Sequence, residues 1–118
     1  MENKKILIID DDQAIVKYLE KLFKNNGYDT IFAHDGLEAD DIIKEHTPAL
    51  ITLDLDMPNE WGTKFYRKLT KNKKYKDIPV IVVSGMAGRD NAIKKAVAIF
   101  GKPFDAEKLM AAVKEAIG

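Results

Sequence analysis

The chain of 118 residues contains no cysteine. That absence excludes a disulfide scaffold, a thiolate zinc site and a cysteine nucleophile. Long apolar runs are also lacking. None approaches the ~18 residues needed to span a bilayer, and strand-like runs such as Ile6-Leu7-Ile8-Ile9 are short. The opening MENKKILIID has no extended apolar segment and no small-residue cleavage site. It is not a signal peptide, so the expected location is cytoplasmic. Histidine is scarce: His34 and His46 stand alone, which gives no histidine pair for a metal. There is no internal repeat, low-complexity segment or linker.

Net charge is absent too, because nineteen basic and nineteen acidic residues cancel. The cancellation hides an asymmetry. Residues 1–60 hold 14 Asp/Glu and 6 Lys/Arg, a balance of −8, and residues 61–118 hold 5 and 13, a balance of +8. The split implies either a strong dipole that steers charged partners or two solvated faces of opposite sign. Lys64, Arg67, Lys68, Lys71, Lys73, Lys74 and Lys76 form a basic stretch. It reads as a solvated helix face and loop rather than a nucleic-acid site.

What is present is an ordinary soluble composition, 46% apolar and 32% charged, at a length that fits one domain over residues 1–118. Apolar periodicity alternates between short strand-like runs and helical stretches. Ile6–Ile9 is a continuous apolar run, as in a strand buried on both faces. It stops at Asp10-Asp11-Asp12. Ile15, Leu19, Leu22 and Phe23 follow at helical spacing, with Asp12 as the expected N-cap and Asn26-Gly27 as the stop. Tyr28–Ala33 reads as a second strand. Leu37–Glu45 reads as a short helix with Leu37, Ile42 and Ile43 inward, broken at Pro48. Ala49–Leu53 is a third strand ending at Asp54. A loop through Met57-Pro58 and Gly62 leads to a helix around Lys64–Asn72, with Phe65 and Leu69 on one face. Val80–Val83 is a β-branched fourth strand. Asp90 is placed to cap a helix carrying Ile93 and Val97. Ala98–Phe100 is a fifth strand. Asp105 caps a last helix with Leu109, Met110, Val113 and Ile117 inward.

Five such βα units predict an α/β fold: a doubly wound, five-stranded parallel sheet covered on both faces. In such sheets ligands bind beyond the carboxyl ends of the strands, where strand order reverses. Those ends carry Asp10-Asp11, Asp54, Ser84 and Lys102. With strand order 2-1-3-4-5, the first and third strands are neighbours. Three carboxylates then converge, flanked by a hydroxyl and an ammonium. Carboxylates at close range repel, and a divalent oxygen-loving cation relieves the repulsion; Mg²⁺ suits such a site. Asp54, already ionised at neutral pH, is suited to attack a phosphoryl group. Lys102 and the Ser84 hydroxyl are suited to stabilise its oxygens. Taken singly, each residue has a plainer role as a cap, turn or loop residue. Their joint placement at strand ends carries the functional reading.

The segments ILIIDDD, HDGLEA, LITLDLDMPNEWG, IPVIVVSG and GKPF together resemble the receiver domain of bacterial two-component response regulators, over essentially the whole chain. The resemblance implies a (βα)5, flavodoxin-like fold of the chemotaxis-regulator type. It implies Asp54 as phosphoacceptor, Asp11 as a direct ligand of Mg²⁺ (or Mn²⁺), and Asp10 acting mainly through metal-bound water. It adds the Asp56 backbone carbonyl as a further metal ligand, Ser84 as the hydroxyl that moves toward the phosphoryl group, and Lys102 as its cation. The bond before Pro103 is usually cis in the family. The implied donor is a phosphohistidine on a sensor kinase or phosphotransfer protein. Signalling is then by contact with a downstream protein, with no direct nucleic-acid or membrane binding. No separate substrate turnover is implied beyond self-phosphorylation and autodephosphorylation.

Two departures from the family pattern stand out. Ile99 occupies the position where Tyr or Phe usually partners the Ser/Thr in switching. The 18 positions from Ser84 to Lys102 are about one helical turn fewer than usual. The switch is therefore expected to work through Ser84, Gly85 and the following segment, with the protein a monomer or weak dimer. Two other readings compete. Asp54-Leu55-Asp56 superficially matches the D-x-D pair of haloacid-dehalogenase-like phosphatases, but those place it on their first strand and need further elements. The other is a receiver fold kept only as an interaction module.

Overall fold

The computed structural model describes residues 3–58, 61–85 and 96–118. In chain order the elements are β1 (Lys5–Ile9), α1 (Gln13–Asn25), β2 (Asp29–Ala33), α2 (Gly36–His46), β3 (Leu50–Leu53), α3 (Trp61–Lys71), β4 (Val80–Val83), β5 (Ala98–Phe100) and α4 (Ala106–Ile117). The strands form one parallel sheet in the order β2-β1-β3-β4-β5. The register aligns the strand ends: Ile9 sits opposite both Ala33 and Leu53, and Leu53 opposite Val82. The residues that follow Ile9, Leu53 and Val83 therefore emerge along one edge of the sheet.

Alternation of side chains divides the core into two layers. Leu7, Ile9, Ile51, Leu53 and Val82 face α2 and α3, where they meet Ala39, Ile43, Phe65, Tyr66 and Leu69. Ile6, Ile8, Leu50, Ile81 and Val83 face α1 and α4, against Val16, Leu19, Phe23, Leu109 and Val113. This explains the unbroken apolar runs, since both faces of β1, β3 and β4 are covered. Each fully buried aliphatic side chain contributes roughly 1.5–3 kcal/mol.

The helix boundaries follow capping chemistry. Asp12 accepts from the Ala14 and Ile15 amides, Asp35 from Glu38, and Asp105 from Glu107 and Lys108. Each satisfies donors that the first helical turn leaves unpaired. Gly27 turns the chain after α1 at φ +90, a conformation that favours glycine.

Three expectations change. Leu37 is 64% exposed, not inward. The buried side of α2 is Gly36, Ala39 and Ile43, spaced three and four apart, and Leu37 lies about 100° round from Gly36. Helix α3 begins at Trp61, three residues before the expected Lys64. Gly62 in its first turn obscured that start, because glycine is a poor helix former. Val97 is exposed and non-helical; its amide donates to the Val80 carbonyl at 2.9 Å, which commits it to the approach of β5. Asp90 and Ile93, and with them the expected helix between the fourth and fifth strands, lie outside the described residues.

Candidate functional site

Three acidic side chains gather at the carboxyl edge of the sheet. Asp10 follows β1 and Asp54 follows β3, each only 2% exposed, while Asp11 is open to solvent. Asp10, Asp11 and Asp54 each offer a carboxylate oxygen within 4.8 Å of the others. The adjacency of β1 and β3 creates this meeting, and the backbone holds it. The Asp12 amide donates to Asp10 Oδ1 at 2.9 Å, and the Asp56 amide donates to Asp54 Oδ1 at 2.9 Å. Each carboxylate thus has one oxygen tied to the chain two residues on.

The other oxygens face Lys102. Its ammonium lies 2.9 Å from Asp10 Oδ2 and 3.4 Å from Asp54 Oδ2. Lys102 reaches them from the turn after β5, where the Lys102–Pro103 bond is cis, as the resemblance implies. Burial works to lower the lysine's pKa. The hydrogen bond and charge of Asp10, together with the charge of Asp54, outweigh it and leave the pKa raised, so the cation persists. Asp10 is pushed up to about 6. The largest cause is removal from water; the Asp12 amide and Lys102 oppose it, and repulsion from Asp54 adds a smaller push upward. For Asp10, the cost of sitting among these acids thus comes through desolvation more than through mutual repulsion.

Ser84 lies fully buried at the end of β4, its amide bonded to the Phe100 carbonyl at 3.0 Å. Gly85 follows, and a Cβ there would come within 2.8 Å of Asp56 Oδ2, so the backbone passes close over that carboxylate. Ile99 sits opposite Val82 in β5 and is 43% exposed. Asp12 serves as a helix cap.

Gly62 was not singled out as a functional position by the sequence. A Cβ on it would stand 2.3 Å from the Asp54 carbonyl oxygen and 2.8 Å from Leu55 Cα. Only glycine lets the first turn of α3 press against the backbone that presents Asp54. A glycine inside the first turn of a helix, just beyond the acidic loop, is the signal that points to such a close approach.

The donor set suits a hard divalent cation, which takes oxygen ligands and tolerates one or two carboxylates. Residues 6–114 match the response regulator receiver domain family, and the chain belongs to it. Among its relatives, Protein Rrf1 of Nitratidesulfovibrio vulgaris is 33% identical over 113 residues, covering 96% of this chain and 82% of that protein. The polar-differentiation response regulator DivK of Brucella ovis is 30% identical over 119 residues, covering 98% and 97%. The solved receiver domain protein (CheY-like) of Methanospirillum hungatei JF-1 superposes with a TM-score of 0.87 at 28% identity, covering 98% and 94%. The chain is thus a receiver of two-component signalling with the flavodoxin-like arrangement expected. That family is one of signalling domains rather than substrate-turnover enzymes, which sets aside the phosphatase reading of Asp54-Leu55-Asp56.

Proposed function

We propose that the chain accepts a phosphoryl group on Asp54 and signals through protein contact, the 118 residues acting as a single receiver unit. The observation that carries this reading is the seat of Asp54: buried, held by the Asp56 amide, and faced by Lys102 at 3.4 Å. In the transfer, an Asp54 oxygen forms the new bond to phosphorus as the bond from phosphorus to the donor imidazole breaks. The nitrogen keeps the electron pair and takes up a proton. Lys102 is the cation available to the phosphoryl oxygens, and Ser84, at the adjoining strand end, supplies a hydroxyl. Asp10, Asp11, Asp54 and the Asp56 carbonyl would hold Mg²⁺ or Mn²⁺, which when bound supplies charge neutralisation for the transferring oxygens. The partners are a sensor histidine kinase or phosphotransfer protein as donor and a downstream protein as reader. Among the described residues no helix is long and apolar enough to cross a membrane.

Incubation with Mg²⁺ and a small acyl phosphate, read by intact mass, tests the assignment. One phosphoryl group should be gained, and Asp54→Asn should abolish the gain. An undiminished gain in the variant would place the acceptor elsewhere. The readout is expected at Ser84, Gly85 and the segment leading to β5. Ile99 is β-branched, stiff at χ1 and without a hydroxyl, which suits it poorly to a two-position rotor. Amide NMR shifts with a beryllofluoride mimic should concentrate at residues 84–97 without a change in tumbling time. A tight mimic-dependent dimer through β5 and α4 would contradict this.

A further inference from the structure

We propose that the groove between α2 and α3 docks an acidic, apolar-faced segment of a partner protein. The basic stretch forms one wall of this groove and has no part in the chemistry at Asp54. The cavity is about 450 Å³, and its floor is apolar: Ile43 from α2, Phe65 and Leu69 from α3, and Tyr75 beyond it. Its rim is cationic, with Lys44 on one side and Lys68 and Lys71 on the other. A smaller cavity of about 140 Å³ continues it toward the start of both helices, sharing Asp40, Phe65 and Lys68. There Trp61 and the exposed Leu37 offer apolar surface beside Lys64.

Charge selects the occupant. Residues 61–76 carry seven Lys/Arg and no Asp or Glu. The single acid lining either cavity is Asp40, whose carboxylate already lies 2.6 Å from Lys68 across the groove. That pair is solvated on the lysine side, and exposed ion pairs contribute little to stability, so an incoming carboxylate can take over Lys68 at little cost. Lys44, Lys64 and Lys71 are exposed and add to the positive rim. A floor of aliphatic and aromatic side chains beneath this rim matches a segment that alternates carboxylates with apolar anchors. A bare phosphate backbone would leave the floor unused. The groove lies on the face of the sheet opposite α1 and α4, and the proposal does not depend on the phosphoacceptor assignment.

The test titrates the full chain with a 14-residue helical peptide bearing leucine at every third and fourth position and glutamate elsewhere. Trp61, the only tryptophan, lines the groove and reports binding by fluorescence. Amide NMR maps the contact. Saturable one-to-one binding with shifts confined to α2, α3 and the residues up to Tyr75 supports the proposal, as does at least tenfold weakening by Lys44→Glu combined with Lys71→Glu. Lys44→Gln with Lys71→Gln, checked for folding by circular dichroism, should weaken binding less than the reversal does. Four results would overturn it: no binding; equal binding of an acidic peptide without leucine, which reports diffuse charge alone; stronger binding of a DNA duplex to the same face; or self-association through α2 and α3 in place of peptide binding.

Discussion

Replacing Asp10 with asparagine should stabilise the metal-free protein at neutral pH and do so less in acid. In the fold the Asp10 carboxyl is raised from 3.8 to about 6. One pKa unit corresponds to ~1.36 kcal/mol, so keeping Asp10 ionised in its buried seat destabilises the fold by roughly 3 kcal/mol at neutral pH. Between those two values the folded chain holds a proton that the unfolded chain has lost. Stability from this carboxyl is therefore fully present below about pH 4 and is lost as pH rises through about 6. About half of it disappears between about pH 5 and pH 7.5, or roughly 1–2 kcal/mol. Asparagine keeps an acceptor for the Asp12 amide and has no charge to desolvate, and Lys102 retains Asp54 as a partner at 3.4 Å. Urea unfolding of both proteins with chelator present, followed by Trp61 fluorescence, isolates the effect. Carboxylates and histidines common to both cancel in the difference. The advantage of Asp10→Asn should grow by roughly 1–2 kcal/mol from about pH 5 to about pH 7.5. A difference independent of pH, or one that shrinks as pH rises, would refute the reasoning. It would mean that Lys102 and the Asp12 amide outweigh burial and keep Asp10 ionised throughout.

Other outcomes follow from the same geometry. Gly62→Ala should destabilise by roughly 1–3 kcal/mol through overpacking, because its Cβ would meet the Asp54 carbonyl oxygen at 2.3 Å; a urea midpoint equal to wild type would show that α3 can retreat freely. Millimolar Mg²⁺ should stabilise the wild type by mass action, by about 2.7 kcal/mol at a hundredfold excess over Kd, and so raise its melting temperature. Asp11→Asn should lose most of that shift while changing metal-free stability little, since Asp11 is solvated; an unaltered shift in a calorimetric scan would remove Asp11 from the ligand set. Asp105→Ala should cost ~1 kcal/mol by leaving the Glu107 and Lys108 amides uncapped, without altering phosphoryl uptake, and equilibrium unfolding with intact-mass analysis checks both halves.

The strands and the acids at their ends were legible because parallel strands buried on both faces leave unbroken runs that end abruptly in charge. Ile6–Ile9 stopping at Asp10 and Leu50–Leu53 stopping at Asp54 mark both the element and the edge of the site. Two caps were legible for a similar reason: Asp12 and Asp105 each precede a periodic stretch, and each makes the bond that its position suggests. Leu37 misled because hydrophobicity alone does not fix helical phase. The small residues Gly36 and Ala39 face the core instead, where Gly36 lies so close to Trp61 that a Cβ would approach Cε3 to 2.8 Å. Close approaches leave no pattern of apolar periodicity, which is also why Gly62 passed unnoticed. The site residues were visible singly, but their relative burial was not. Asp10 and Asp11 look equivalent in the sequence, yet alternation out of β1 places one inside and the other in solvent.

That inequality bears on how the site responds to occupation. Lys102 is the cation holding two buried carboxylates together, nearer to Asp10 than to Asp54. An anionic group arriving at Asp54 competes with Asp10 for this ammonium. Whatever loosens the Lys102–Asp10 contact leaves Asp10 buried with only the Asp12 amide in its favour, which raises its pKa further unless a cation takes the lysine's place. On the proposed function, a phosphoryl group at Asp54 and a divalent cation beside Asp10 would be coupled through that carboxylate, each making the other's binding more favourable. Lys102 is anchored two residues after Phe100, whose carbonyl holds the Ser84 amide. A rearrangement at the acids thus reaches the junction of β4 and β5 through a chain of direct contacts, without requiring an aromatic side chain at position 99.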